Sequence, residues 1–351
     1  MRNNRILVIT KNWLGDVVME TPALRAIHRR FPDSEIFCAG PGRVGEILKA
    51  LPYVSGFIPF DERIDPRVAA KWRFVREVRR LGFIRAFLFH RSWTRALLTA
   101  LGGVPSRIGY ATKGRRWLLT QAVEEPREEM HHVDYFLELL ARAGFPADGE
   151  RVCEFAFGRQ DEEKVARLLA PHLSVNSRLV VFHTGANWAP KRWAPEKFAR
   201  LADLLAARRD ALFVLTGSSE DEELARRVQS WGRVAQMVVL CGRTTLAELG
   251  ALFKRADLVV SNDSGPMHIA AGVRAPLVAL FGPTRHELTG PRGAGHTLIF
   301  QQDPQCAFVI ESVWHGAQVV YCKRLEPELV AERAERLLAH PVPQPLTTQS
   351  V

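Results

Sequence analysis

The chain twice alternates short apolar runs with amphipathic helical segments, and this rhythm restricts its fold more than any other feature of the 351 residues. In the first half the apolar runs are 5–10, 35–39, 56–59 and 84–89, with helical spacing over 17–30, 44–50 and 65–80. In the second half they are 179–182, 211–216, 237–240, 258–260 and 277–281. Helices are expected there over 195–207, 219–230 and 246–254, and a last one over 326–339. Short apolar runs bounded by turn residues read as strands buried on both faces, and a helix between successive strands makes them parallel. The expectation is an α/β protein of two doubly wound, Rossmann-like domains at 1–173 and 178–340, followed by a flexible tail over 341–351. Ligands in such sheets bind beyond the carboxyl ends of the strands, so a ligand crevice between the two domains is expected.

Composition narrows the class of protein. The 47% hydrophobic and 25% charged content is that of a soluble globular chain. No apolar run reaches the ~18–20 residues that cross a bilayer. Met1-Arg2-Asn3-Asn4-Arg5 leads straight into the first strand with no signal-peptide pattern, so a cytoplasmic location is expected. The five cysteines (Cys38, Cys153, Cys241, Cys306, Cys322) form no CxxC pair and read as reduced thiols, with no zinc site. His131, His132 and His315 lack ligand spacing and read as structural or exposed. Residues 55–120 hold 14 Lys/Arg and four Asp/Glu, so this one stretch carries the whole formal charge of +10. A field confined to one region suggests an anionic partner there: nucleic acid, anionic lipid or a phosphorylated glycan.

Three loops at the carboxyl ends of expected strands carry the candidate chemistry. After the first strand, Gly15 is expected to allow a tight turn. Asp16 beside it reads either as a helix N-cap or as a general base facing the crevice. No GxGxxG is present, so the dinucleotide fingerprint is absent. After the first strand of the second half, Thr184 and Gly185 can offer a hydroxyl and backbone N–H groups to phosphate. Lys191 or Arg192 can neutralise a diphosphate leaving group. The third loop, Asp263-Ser264-Gly265-Pro266-Met267-His268, is a strand-to-helix turn whose N–H groups suit an anion within reach of His268. Glu220, Asp221 and Glu222 open a helix after the strand at 211–216, and one of them can bind ribose hydroxyls.

Taken together, these pieces resemble a known family. Leu14-Gly15-Asp16, Thr184-Gly185-Ala186 with Lys191-Arg192-Trp193, Ser261 through Ala271, and Ala279-Leu280-Phe281-Gly282-Pro283-Thr284 are similar, in order and spacing, to the ADP-heptose:lipopolysaccharide heptosyltransferases. The resemblance runs from about residue 5 to about 290. It implies a GT-B fold and inverting, metal-independent transfer of heptose from ADP-heptose to the lipopolysaccharide inner core, at the inner face of the inner membrane. It makes Asp16 the expected catalytic base. Thr184, Gly185, Lys191, Asp263, Ser264, Gly265 and His268 become the expected donor contacts, with Met267 lining adenine or ribose. The basic stretch then meets phosphorylated lipid A and Kdo carboxylates, with Lys113, Arg115 and Arg116 as acceptor contacts. No cofactor and no metal are implied. The sequence after Pro291 departs from the heptosyltransferase II pattern, and the loop before Lys191 is a residue short of it, which leaves the acceptor open.

Other readings are a related transferase for another sugar or acceptor, and a non-catalytic nucleotide-sugar-binding protein. Nucleic-acid binding is disfavoured, because no recognised module accompanies the basic stretch. The basic segment 65–80, with Trp72 and Phe74 among its arginines, is expected to rest on anionic lipid.

Overall fold

A computed structural model describes residues 4–62, 68–146, 149, 151–174, 176–234, 236–293, 297–303, 310–314, 317–322 and 324–339. The chain divides into two compact units, Met1–Asp161 with Glu287–Arg292, and Glu162–His286 with Gly293–Val351. The division falls ahead of the polar linker expected at 173–178, and a short later segment returns to the first unit.

In the first unit the elements are β1 (Arg5–Ile9), α1 (Leu14–Arg30), β2 (Glu35–Gly40), α2 (Gly42–Lys49), β3 (Gly56–Pro59), α3 (Val68–Leu81), β4 (Arg85–Leu88), α4 (Trp93–Leu101), β5 (Ser106–Tyr110), β6 (Gln121–Val123) and α5 (His132–Arg142). Among the described residues its sheet runs β3-β2-β1-β4-β5-β6, every pair parallel. This is the doubly wound order, and it reverses between β1 and β4.

After α6 (Arg159–Leu169), the second unit holds β7 (Arg178–His183), α7 (Pro195–Ala206), β8 (Ala211–Thr216), α8 (Glu222–Trp231), β9 (Met237–Val239), α9 (Leu246–Arg255), β10 (Leu258–Asn262) and α10 (Gly265–Gly272). It continues with β11 (Leu277–Phe281); α11 (His286–Thr289) follows where the chain returns to the first unit, and the second unit resumes with β12 (Thr297–Gln302), β13 (Ile310–Trp314), β14 (Ala317–Cys322) and α12 (Pro327–Ala339). Among the described residues the sheet order is β13-β14-β12-β11-β10-β7-β8-β9, and only the β13–β14 pair is antiparallel. The reversal here falls between β7 and β10.

The central strands are buried along their length. All five residues of β10 and of β11 are buried, as are all six of β8. Helices cover both faces of such sheets, which is why the strands read as continuous apolar runs. Phe182, Phe198, Phe213 and Trp193 anchor the second core, and Phe60, Phe74, Val75 and Val78 pack in the first.

Several expectations need correction. Helix α1 begins at Leu14, so Gly15 lies inside its first turn, and its φ is not in the left-handed region. Phe74 is 3% exposed and stacks near Phe60, so it is not offered to lipid. Trp72, at 54%, is the exposed aromatic of α3. Helix α4 and strands β6, β12, β13 and β14 were not expected from the sequence. Residues 63–67, Cys306, His315 and the tail over 341–351 lie outside the described residues. Cys38, Cys153, Cys241 and Cys322 are buried. Among the described residues no helix is long and apolar enough to cross a membrane.

Candidate functional site

Both reversal points carry the motif loops. In the first unit the loop after β1 ends at Trp13, the N-cap of α1, whose side chain makes no capping bond. Asp16 follows in the first helical turn, so it is not the N-cap. An acid there is favoured by the helix dipole. Its Oδ1 lies 3.1 Å from Nδ1 of His132, the first residue of α5, and with Nδ1 protonated the ring donates to the carboxylate. His132 is a residue that sequence reasoning missed, since nothing local in His131-His132 signals a partner more than a hundred residues away. His131 is structural: its Nδ1 accepts the Val133 N–H and caps α5, and its Nε2 meets the Gly290 carbonyl at 2.9 Å.

The basic stretch is less of a surface field than its count suggests. Arg95 is buried and donates to the Thr10 carbonyl and to Asn12 Oδ1. Arg115 is also buried, with its guanidinium on the carbonyls of Tyr110, His90 and Ser92. Burial holds its pKa down at about 10. Arg107 serves the carbonyls of Leu118 and Val104. Of the three residues expected to meet an acceptor, Arg115 is therefore turned inward, while Lys113 and Arg116 are exposed. Arg116 pairs with Glu124. Beneath this loop His90 accepts the Ser92 N–H on Nδ1. Burial first, then the charges of Arg95 and Lys11, lower its pKa to about 2.

In the second unit the loops after β7, β8, β10 and β11 meet at one end of the sheet. Lys191 Nζ lies 2.7 Å from Asp263 Oδ2, which also accepts from Thr284 Oγ1 at 2.5 Å. Asp263 is only 4% exposed and immediately precedes the start of α10. Ser264 is the N-cap of α10 but makes no side-chain cap bond, and Pro266 at the helix start has no N–H. The first turn thus keeps an uncapped start beside a fixed ammonium group, an arrangement that suits an anion. His268 is buried in the following turn. Met267 has no exposed surface, so it packs in the interior rather than lining an open face.

Gly185 has a steric reason: a Cβ there would lie 2.4 Å from Asp221 Oδ2. That carboxylate accepts from the Ser218 N–H and hydroxyl and so caps the one-turn helix Ser219–Asp221. Asp221 is thereby committed to the fold, Glu222 pairs with Arg226, and Glu220 is exposed. Arg192 donates to the Ala186 carbonyl, leaving Lys191 as the cation at Asp263. Thr184 is buried, and its Oγ1 has no hydrogen-bond partner among the described residues. Asn262, a second missed residue, bridges the two loops: its Nδ2 donates to the Thr184 carbonyl and its Oδ1 accepts the Trp193 N–H. Among the described residues no cluster of three or more His, Cys, Asp or Glu could hold a metal ion.

Known proteins are similar to this chain in sequence and in fold. The lipopolysaccharide heptosyltransferase 2 of Escherichia coli (strain K12) is 27% identical over 317 residues, covering 82% of this chain and 85% of that protein. The solved structure of the E. coli ADP-heptose lipopolysaccharide heptosyltransferase II superposes with a TM-score of 0.78 at 24% identity, over 96% of this chain and 99% of that one. A glycosyltransferase family 9 structure from Veillonella parvula superposes with a TM-score of 0.84 at 23% identity, over 96% and 97% of the two chains. These likenesses establish the GT-B fold class of two Rossmann-like units. Residues 71–314 match the profile of glycosyltransferase family 9 (heptosyltransferase), more than half of the sequence, so the chain belongs to that family and is a glycosyltransferase.

Proposed function

We propose that the protein transfers a heptose from ADP-heptose to the lipopolysaccharide inner core, with inversion at the anomeric carbon and Asp16 as the general base. The observation that carries the reading is the Lys191–Asp263 pair at the uncapped start of α10, at the point where the strand order reverses. A diphosphate is the ligand such a cradle suits. The two Escherichia coli relatives named above are, by their names, lipopolysaccharide heptosyltransferases, and one of those names includes ADP-heptose.

In this mechanism a carboxylate oxygen of Asp16 takes the proton from an acceptor hydroxyl. The freed oxygen attacks the anomeric carbon, and the bond from that carbon to ADP breaks with its electrons passing to the diphosphate. His132 orients the carboxylate through the Oδ1 contact. Lys191 has three N–H donors, so it can stay on Asp263 while it meets the diphosphate, where negative charge develops. Lys113 and Arg116 meet the anionic acceptor, while Arg115 holds their loop in place from inside. The exposed Trp72 and arginines of α3 rest on anionic lipid at the inner face of the membrane. Binding to vesicles that ignored their anionic lipid content would remove that last element.

The reaction is tested by ADP release from ADP-heptose with and without a heptose-deficient lipopolysaccharide. Release that depends on the acceptor is expected. Failure to bind ADP-heptose would overturn the donor assignment.

A further inference from the structure

Glu20 has no part in the chemistry above, yet it is fully buried on the helix that carries Asp16. The two residues are one turn apart, so their carboxyl groups share a face of α1. Glu20 Oε1 accepts the Lys11 N–H at 2.8 Å, and Oε2 is buried with no hydrogen-bond partner among the described residues. Arg95 grips either side of the same amide, with Nη1 on the Thr10 carbonyl at 2.9 Å and Nη2 on Asn12 Oδ1 at 2.7 Å. Three successive residues of the loop leading to Asp16 are therefore held from within. Burying a half-satisfied carboxyl is unfavourable, and a loop needing only to close could use a less costly residue. Such a departure from ordinary packing is what a functional position tolerates.

We propose that Glu20 is a positioning residue: its carboxyl holds the Lys11 N–H and thereby fixes the loop that sets where Asp16 meets its substrate. The inference rests on the reading of Asp16 as base. Glu20 acts as the neutral acid. Burial raises its pKa well above the usual carboxylate range, and the charge of Asp16 adds to this. The Lys11 N–H, the Lys11 ammonium and Arg95 pull the other way, and Cys38 faces it from β2. A neutral Glu20 supplies an acceptor without a second negative charge beside Asp16. Two like charges one turn apart would raise the proton affinity of the base. The folded protein also keeps a proton that the unfolded chain releases above pH ~4.5, so Glu20 subtracts stability as pH rises from there to its raised folded value.

Three variants test this. Glu20→Gln keeps a neutral acceptor, Glu20→Met fills the volume without one, and Glu20→Asn withdraws the acceptor by one methylene while staying polar. Glu20→Gln is expected to keep kcat for ADP release within a few-fold and to make the slope of Tm against pH above ~4.5 more positive than in the parent. Glu20→Met, or Glu20→Asn should the former not fold, is expected to lower kcat by about 10–100-fold at unchanged donor KM. The same variant is expected to speed hydrogen exchange at the Lys11 amide. A folded Met or Asn variant with the kcat of Glu20→Gln, or with unchanged Lys11 exchange, overturns the proposal. Asp16→Asn is measured alongside. Full activity there removes the base assignment, and Lys11 exchange then still decides whether Glu20 clamps the loop.

Discussion

Asp16 and Lys191 show how much a single side chain is asked to do. General-base assistance is worth about 10²–10⁴-fold, so Asp16→Asn is expected to lose that much kcat while ADP affinity, measured by calorimetry, stays within a few-fold. A variant at the wild-type rate would leave His132 without a role as well. Lys191 sits against a carboxylate that is 4% exposed. Removing the ammonium leaves Asp263 unpaired beside the expected diphosphate. Lys191→Ala is therefore expected to weaken ADP binding at least about 30-fold, the equivalent of about 2 kcal/mol. Unchanged affinity would place the diphosphate elsewhere.

At the scale of elements, the central strands were legible because they are apolar on both faces, and the helices between them implied parallel pairing. The loops were legible too, since small and polar residues follow apolar strands at Thr184–Gly185 and at the Asp263–Gly265 turn into α10. Helix α4 was hidden because Trp93-Thr94-Arg95 interrupts an apolar run. Its one local signal is Ser92, whose hydroxyl accepts the Arg95 N–H at 3.2 Å. Strands β12 to β14 follow a segment that breaks the earlier rhythm. Partners distant in sequence, Asp16 with His132 and Asn262 with Thr184, leave no periodic trace. Nor does the burial of Arg95 and Arg115, which a charge count treats as surface. Gly185, by contrast, permits a firm expectation. A methyl group there displaces Asp221 and frees the Ser218 cap, so Gly185→Ala should cost about 1–2 kcal/mol in chemical denaturation and weaken ADP binding. Wild-type stability in that variant would mean the loop moves aside freely.

For the whole molecule, pH acts through buried groups of opposite sign. His183 is buried against Thr216, and burial lowers its pKa to about 4. The unfolded chain takes up that proton near pH ~6.5, so this contribution is complete above ~6.5 and is lost as pH falls toward 4. His90 acts in the same direction, Glu20 in the other. Each is therefore read as a difference: the slope of Tm against pH between 4 and 6.5 should be less positive in His183→Asn than in the parent. Equal slopes would show that His183 is protonated as readily in the folded protein as in the unfolded chain.

The short return of Glu287–Arg292 to the first unit bears on how the chain can be taken apart. Arg292 pairs with Asp134, and its carbonyl accepts the Cys153 N–H, while Gly290 meets His131. A gene fragment ending in α6 would encode all six strands of the first sheet and still lack these partners. The second fragment would carry them away as a loose loop. Neither half is a self-sufficient product of one cut. Restoring 287–292 to the first fragment, as a fused or separately added peptide, should raise its melting temperature, as complementation does for a split protein.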